Sequence, residues 1–540
     1  MAEFNLIDEP WIPCIDAHGQ RVEYGIRDTL LKAHELSEIC DDSPLVTVAI
    51  HRLLLAILYR AYDGPRDFQT WQALYRQRSF DQSKVIEYLD KHKSRFNLVD
   101  DHHPFYQMAN LKTKTPVSIT RLATECASGN NATLFDHSVD EEEVDWRAAQ
   151  AARWLVGCQA FALGFGKSGD ATINSAKETL PYSADAIALR GMNIWLQGMT
   201  AFDTLTINLT PTNDKSSPPW ELDDSHKHRD KLDIRKARTE ISSFGIVDRF
   251  TWQSRLVWLL PKDGVFSRMY FTQGRSADKS PGDPMKVYRT SKEEGISALP
   301  LSSGKAAWRD AHSILTIPAP KSKEQRPACF NHLVRARSEG AIPPVNKFVA
   351  QVVGLASAPK KAGKFLLWRH ERMPVPAAML VDANLIERLG GLLQSAEQAA
   401  SELNSRTRRI AKLYLTPDAE SSDGRQPDKD EVTKLANSID PRPAYWSRLE
   451  QHFFKLLENL PKDWDTASND WKPDGQQAAT NAWREHVKGE AWQAIKESIR
   501  SLGTTARAIQ AVARVRTDFN DDDLIPQQKT AKTKGKAKGG

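Results

Sequence analysis

Leu385, Leu389, Leu392, Ala396, Ala399, Leu403, Ile410 and Leu413 recur at intervals of three and four with one missed position. Such spacing marks one face of a helix and predicts a helix of about thirty-five residues, roughly 50 Å long at 1.5 Å per residue. The same texture continues over Ala444–Leu460, Gln476–Leu502 and Thr504–Arg516, with breaks at Thr416–Asp430, Pro461–Asp474 and Gly503. Long amphipathic helices with such connections bury their apolar faces against one another, so a four-helix bundle is expected. Glu485-His486 stands alone, with no repeated Glu-x-x-His pair, and the bundle reads as structural rather than metal-binding.

Ahead of about Ala377 the pattern is mixed. Phe4, Leu6, Trp11 and Ile12 alternate toward a turn at His18-Gly19, with Arg21–Tyr24 as the returning strand. Ile26–Leu36 and the strongly apolar Pro44–Ala61 read as helices, as do Trp146–Phe161, Ala186–Leu196 and Val345–Gly354. Thr204–Leu209, Phe250–Leu260, Arg268–Gly274 and Phe365–Trp368 read as strands, with Asp263-Gly264 turning the middle pair, and Thr210–Asp230 reads as a surface excursion. The fold class is therefore α+β: a mixed domain with antiparallel sheet over 1–372, a helical bundle over 377–520, and a disordered lysine-rich tail over 525–540.

The net charge of +5 misleads unless it is located. Lys529, Lys532, Lys534, Lys536 and Lys538 sit in the last twelve residues without an acid, which leaves the remainder near zero. Contact with nucleic acid by the body would have to come from local patches. The start, MAEFNLIDEP, has acids where a signal peptide has a basic region, and Leu45–Tyr59 is interrupted by His51 and Arg52. Cys14, Cys40, Cys126, Cys158 and Cys329 are widely spaced with no C-x-x-C pair. A cytoplasmic protein with no membrane association, disulfide framework or metal is expected.

Two glycine-marked loops flank the helix Trp146–Phe161. The first, Ser128–Asp145, joins Gly129, Asn130 and Asn131 to Leu134, Phe135 and Asp136 and then to the acids Asp140–Glu143. The second, Gly164–Gly169, strips side chains at Gly164, Gly166 and Gly169 around Phe165, Lys167 and Ser168, so that another chain can approach the backbone. GFGKSG resembles the end of a phosphate-binding P-loop, but Phe161 stands where its first glycine belongs, and a helix rather than a strand precedes it. A structural turn is the plainer alternative. Asp100, Asp101, His102 and His103 look like metal ligands, yet adjacent side chains point apart and no second motif completes a set, so a packed turn feeding Phe105 and Tyr106 is the better reading. Leu355–Lys364 is a basic loop with Lys360, Lys361 and Lys364 at its tip, either solvated or in contact with phosphate.

Taken in order, FNLIDEPWIP, the HPF turn at His103–Phe105, GFGKSG, DRFTWQSR at Asp248–Arg255, LPLSSGKAAWR at Leu299–Arg309 and the terminal bundle resemble the CasA family, the large subunits of type I-E CRISPR Cascade surveillance complexes. The resemblance spans nearly the whole chain apart from the lysine tail. It implies a non-catalytic subunit, without cofactor, that recognises a protospacer-adjacent motif (PAM) in target duplex DNA through minor-groove contacts, promotes strand separation and docks the helicase-nuclease for antiviral defence. Its partners would be the CRISPR guide RNA, the other Cascade subunits, double-stranded target DNA and that nuclease, with the guide reading the remaining sequence by base pairing, a division of labour known from another RNA-guided effector.

The resemblance also assigns residues. Leu134, Phe135 and Asp136 fall on the loop that anchors at the guide end and a neighbouring subunit, and Gly164, Phe165, Gly166 and Lys167 on the loop that approaches the PAM. The family's basic finger has Arg268 as its nearest counterpart, and its amide-bearing wedge falls on Ser357–Gly363, where Lys360, Lys361 and Gly363 stand without any Asn or Gln. PAM preference is therefore expected to differ. The competing readings are a nucleotide hydrolase at Lys167 and Ser168, a metal hydrolase at Asp101, His102 and His103, and a purely architectural subunit of a ribonucleoprotein.

Overall fold

The amino-terminal hairpin forms as its alternation predicts: β1 (Ile12–Asp16) pairs antiparallel with β2 (Arg21–Tyr24) in the register Ile12↔Tyr24 to Ile15↔Arg21. Helix α1 (Ile26–Leu31) stops short of the expected Leu36 because β3 (Leu36–Ile39) is taken up as the second neighbour of β1. The computed structural model describes residues 3–125, 144–164, 167–173, 176–182, 184–222, 243–292, 295–343, 345–357 and 365–517. The chain divides into two compact units, Met1–Leu380 and Val381–Gly540.

Helix α2 (Pro44–Ala61) is the core of the first unit. It is long and apolar enough to cross a membrane by length and mean hydropathy of 1.4, yet 89% of it is buried inside the protein. Apolar character on every side is what a helix packed all round requires. Helices α3 (Phe68–Arg76) and α4 (Gln82–Lys91) follow, capped by Asp67 and Asp81, whose carboxylates accept the amides of Thr70 at 2.8 Å and Lys84 at 3.2 Å.

Short strands β4 (Lys112–Thr113) and β5 (Val117–Ser118) lead toward helix α5 (Ala148–Phe161), which packs on α2. The hairpin β6 (Lys167–Ile173) and β7 (Ala176–Tyr182) comes next, and β4 adds to its open edge. Strand β8 (Asn193–Gln197) replaces the helix expected over Ala186–Leu196. Its first four residues are all buried, so no alternation announces a strand. The reverse holds for α6 (Ala201–Asn208), expected as a strand: Thr200 caps it by accepting the Asp203 amide at 3.1 Å, and the Thr204 and Thr206 hydroxyls donate to the carbonyls of Thr200 and Phe202. Those back-bonds let β-branched residues sit in a buried helix.

A short helix occupies Ile246–Phe250, so the strand expected from Phe250 begins later, as β9 (Arg255–Lys262). Asp263 and Gly264, both at positive φ (51° and 85°), turn it into β10 (Val265–Gln273). The small hairpin β11 (Tyr288–Ser291) and β12 (Gly295–Ala298) precedes the pair β13 (Val349–Ser357) and β14 (Phe365–Pro374). The helix expected over Val345–Gly354 is thus a strand, and the central one: β13 pairs with β14 on one side and β8 on the other. Val349, Val352 and Val353 suit that position better than any helix. The excursion after Thr210 is not wholly on the surface either, since Trp220 is buried against Phe96 with ring centroids 5.1 Å apart.

In the second unit the long helix runs Ala383–Leu415 and packs on Lys429–Ser438, Arg442–Asn459, Ala478–Arg500 and Ala506–Thr517. The short helix Lys429–Ser438 lies partly in what reads from sequence as a break. Trp483 ties three helices: it is buried, its Nε1 donates to Leu392 O at 3.1 Å, and its ring meets Phe453 edge-on. Asp463 caps Ala478–Arg500 from outside by accepting the amides of Ala479 and Thr480 at 3.1 and 2.8 Å.

Two measurements check this packing. Trp483→Ala should lower the stability of the helical unit by about 3–5 kcal/mol in denaturant titration, the usual range for emptying a buried aromatic site. His332, on the helix Ala328–Ser338, lies edge-on to Trp71 at 4.3 Å, and burial, with Arg335 adding to it, pushes its pKa down to about 3. A histidine kept neutral in the native state contributes stability above its unfolded pKa of roughly 6.5 that is lost as pH falls toward 3. Between pH 7 and 5 the wild type should therefore lose about 2 kcal/mol more than His332→Leu, read from paired denaturant midpoints.

Candidate nucleic-acid interface

Helix α5 ends at Phe161, and its last turn delivers Leu163 and Gly164 to a buried polar knot. The Gly164 amide donates to Asp185 Oδ1 at 2.7 Å. Arg255, the first residue of β9 and 1% exposed, donates from Nη2 to Leu163 O at 2.7 Å and to Ala184 O at 2.8 Å, and from Nη1 to Ser254 O and Gln273 Oε1. Gln273 Oε1 also accepts the Ala184 amide at 2.9 Å. Gln159 on α5 holds Arg255 from behind, accepting its amide and donating to its carbonyl, each at 2.9 Å. The segment leaving the helix and the segment returning from β7 are thus clamped together by one guanidinium, and the β6–β7 hairpin lies between them in the chain. Burial pulls the Arg255 pKa down to about 10, still charged at neutral pH.

Of the residues assigned to the glycine loop, Gly164 sits in the clamp and Lys167 opens β6 opposite Tyr182, while Phe165 and Gly166 lie outside the described residues. The order is helix, loop, strand. A P-loop requires strand, loop, helix, so that a helix amino terminus faces the phosphates; Lys167 and Ser168 stand in a strand instead.

Arg268 lies on β10, exposed, opposite Leu260 of β9 and Ser118 of β5. A bulge between Phe266 and Arg268 breaks the two-residue period, which lets Phe266 and Met269 both point into the core while Arg268 faces out. Strand β10 runs beside β6 and β7, so the basic finger and the stem of the glycine loop share one region.

Lys360, Lys361 and Gly363 belong to the tip between β13 and β14, outside the described residues, and the structure makes the stem of that loop a two-stranded hairpin closed by the pair Ser357↔Phe365. Leu134, Phe135 and Asp136 also lie outside the described residues. Glu125, just before that segment, is half-buried beside Ser43 and Trp368; burial pushes its carboxyl up to about 7. Trp368 is on β14, so the stems of the anchor loop and the wedge hairpin meet here. At the other candidate site, Asp100 Oδ1 accepts the amides of His102 at 2.8 Å and His103 at 2.6 Å, which makes DDHH a capped turn that sends Phe105 and Tyr106 into the core.

Sequence reading passed over Arg255, Gln159, Gln273 and Asp185. One signal was available: an arginine opening the apolar run RLVWLL is costly to bury and calls for a dedicated set of acceptors.

The model of the family described as CRISPR-associated protein Cse1 matches residues 5–494. The CRISPR-associated protein CasA/Cse1 of Thermus thermophilus is 33% identical over 524 residues, 96% of this chain and 97% of that protein. A solved structure of Thermus thermophilus CasA (Cse1) superimposes with a TM-score of 0.78 at 28% identity, covering 97% of this chain and 99% of the other. A chain of a CRISPR RNA-guided surveillance complex shares the fold at a TM-score of 0.71 and 19% identity, over 96% of this chain and 99% of that one. With a family match over most of its length and a relative at one-third identity end to end, this chain belongs to the CRISPR-associated Cse1 (CasA) family.

Proposed function

We propose that this protein is the large, non-catalytic subunit of a CRISPR RNA-guided Cascade surveillance complex, reading the PAM of target duplex DNA from the minor groove, promoting strand separation and docking the helicase-nuclease. The observation that carries the reading is the Arg255 clamp: it presents a glycine loop beside a strand whose outward side chain is Arg268. Gly164 and Gly166, having no Cβ, would let a groove floor come close to the backbone, and Lys167 and Arg268 would supply positive charge for the flanking phosphates. Minor-groove readout is degenerate, which suits a reader that accepts several related short motifs. Lys360 and Lys361, at the tip of the β13–β14 hairpin, would act as the wedge through phosphate contacts, without amide readout of bases. Leu134, Phe135 and Asp136 would seat the subunit at the guide end, with Phe135 stacking on a base or filling an interface pocket.

The hydrolase alternatives find no support in the local geometry. Lys167 and Ser168 stand in a strand that follows a helix, the reverse of a P-loop, and His102 and His103 belong to a turn whose amides are capped by Asp100.

Gly166→Asp places a carboxylate where a phosphate-lined groove must come close, and should abolish PAM-duplex binding by the guide-loaded complex while assembly is retained; unchanged duplex affinity would sink the assignment. Arg268→Ala should weaken binding across PAM sequences and reduce the slope of log affinity against log salt by about one, measured by anisotropy titration at several salt concentrations.

A further inference from the structure

The chain returning from β7 is first tied to the end of α5 by backbone alone: the Ala188 amide donates to Ala160 O at 3.0 Å and the Ala186 amide to Ala162 O at 2.8 Å. One step nearer the hairpin, side chains take over. Arg255 Nη2 holds the carbonyls of Leu163 and Ala184, Gln273 Oε1 accepts the Ala184 amide, and Asp185 Oδ1 accepts the Gly164 amide at 2.7 Å. Backbone bonds between two segments are indifferent to sequence, whereas bonds made by side chains depend on the residues that supply them. The point where the β6–β7 hairpin leaves the core is therefore set by three particular residues.

The three are not equivalent. Arg255 and Gln273 are 1% and 0% exposed, so removing either would strand buried polar groups. Asp185 is half-buried, and its partner is the glycine itself. Without Asp185 the Gly164 amide can turn to water, while Arg255, Gln273 and Gln159 stay paired with one another. Asp185 can thus govern the loop without holding up the core.

Gly164 is where such control is most needed. A glycine reaches φ on both sides of zero with little penalty, so a chain leaving the clamp at Gly164 has many directions open to it. A carboxylate that accepts its amide removes much of that freedom, and a hydrogen bond to a charged acceptor is the stronger kind. The same bond turns the Gly164 N–H inward, away from any partner. Asp185 also bears on the clamp itself: burial pulls the Arg255 pKa down, and Cys158 and the Asp185 carboxylate oppose that shift.

We propose that Asp185 is the positioning residue of the glycine loop: by holding the Gly164 amide inward it fixes the direction in which the loop leaves the clamp, and with it the register at which the loop meets the PAM. The inference rests on the reading of that loop as the PAM reader. Asp185 itself touches no nucleic acid; it acts through Gly164, by arranging the loop before the duplex arrives.

The test is a titration of the guide-loaded complex, assembled with the full chain, against labelled duplexes randomised at the PAM. Asp185→Ala should lose roughly tenfold of the wild-type selectivity among duplexes, the scale of one hydrogen bond to a charged group, while loading into the complex, melting midpoint and salt slope are kept. A merely structural defect would instead impair loading and weaken all duplexes together. Asp185→Asn keeps an acceptor oxygen and should restore wild-type selectivity. Asp185→Ser, whose hydroxyl is one bond too short to meet the Gly164 amide in the same place, should behave as Asp185→Ala and serves if that variant does not load. Wild-type selectivity in Asp185→Ala, or equal loss in Asp185→Ala and Asp185→Asn, would overturn the role of this hydrogen bond and leave the PAM reading standing. Failure of both the Ala and Ser variants to load would make Asp185 a folding residue and overturn the proposal as well. A wild-type complex that selects no duplex would overturn the PAM reading and this inference together.

Discussion

One buried guanidinium organises the stem of the candidate glycine loop. Arg255 is a charge placed inside the core, which is tolerable because its hydrogen bonds go to oxygens from four stretches of chain: Leu163, Ala184, Ser254 and Gln273. A planar fork can bridge two carbonyls in a fixed geometry, whereas an ammonium would act as a point charge. The clamp has to form for α5, β9, β10 and the β6–β7 hairpin to share one arrangement, and it is the stem of the glycine loop.

The same architecture recurs at the other candidate loop with a described stem. The tip carrying Lys360 and Lys361 extends from β13, whose opposite edge is paired with β8 in the middle of the first unit. Both loops are therefore extensions of rigid elements, which is how a protein holds contact residues in place without burying them. Around them, Glu125 and Trp368 bring the stem of the anchor loop to the wedge hairpin, so that three candidate contact segments arise from one unit of the chain.

Legibility from sequence followed the strength of the local signal. The helix Ala383–Leu415 was readable to within a few residues because its apolar period runs for nine turns and has Asp382 as a cap, with amides of Asn384 and Leu385 donating to it. The Asp263-Gly264 turn was readable because two successive residues at positive φ favour that dipeptide. The strand β13 and the helix α6 were misread for one shared reason: residues 350–356 of β13 and all of α6 are buried, and a stretch with no solvent face carries no period to read. At the candidate site, the glycines, Lys167 and Arg268 can be named from the sequence as residue types, but the bulge that turns Arg268 outward depends on pairing with β9 and cannot be seen in one strand alone.

By itself the sequence determined the α+β class, the long terminal helices, the family resemblance and the placement of excess charge in the lysine tail, because each of these rests on local periodicity, ordered motifs or composition. Only the tertiary structure decided which polar residues act together. Gln159, Arg255 and Gln273 are separated by as many as 114 residues, the difference between 273 and 159, yet they form one hydrogen-bonded knot. Arg52 and Asp283 meet across 231 residues in the same way. A buried charge must find its partners wherever the fold brings them, and that distance in sequence erases any local trace of the pairing.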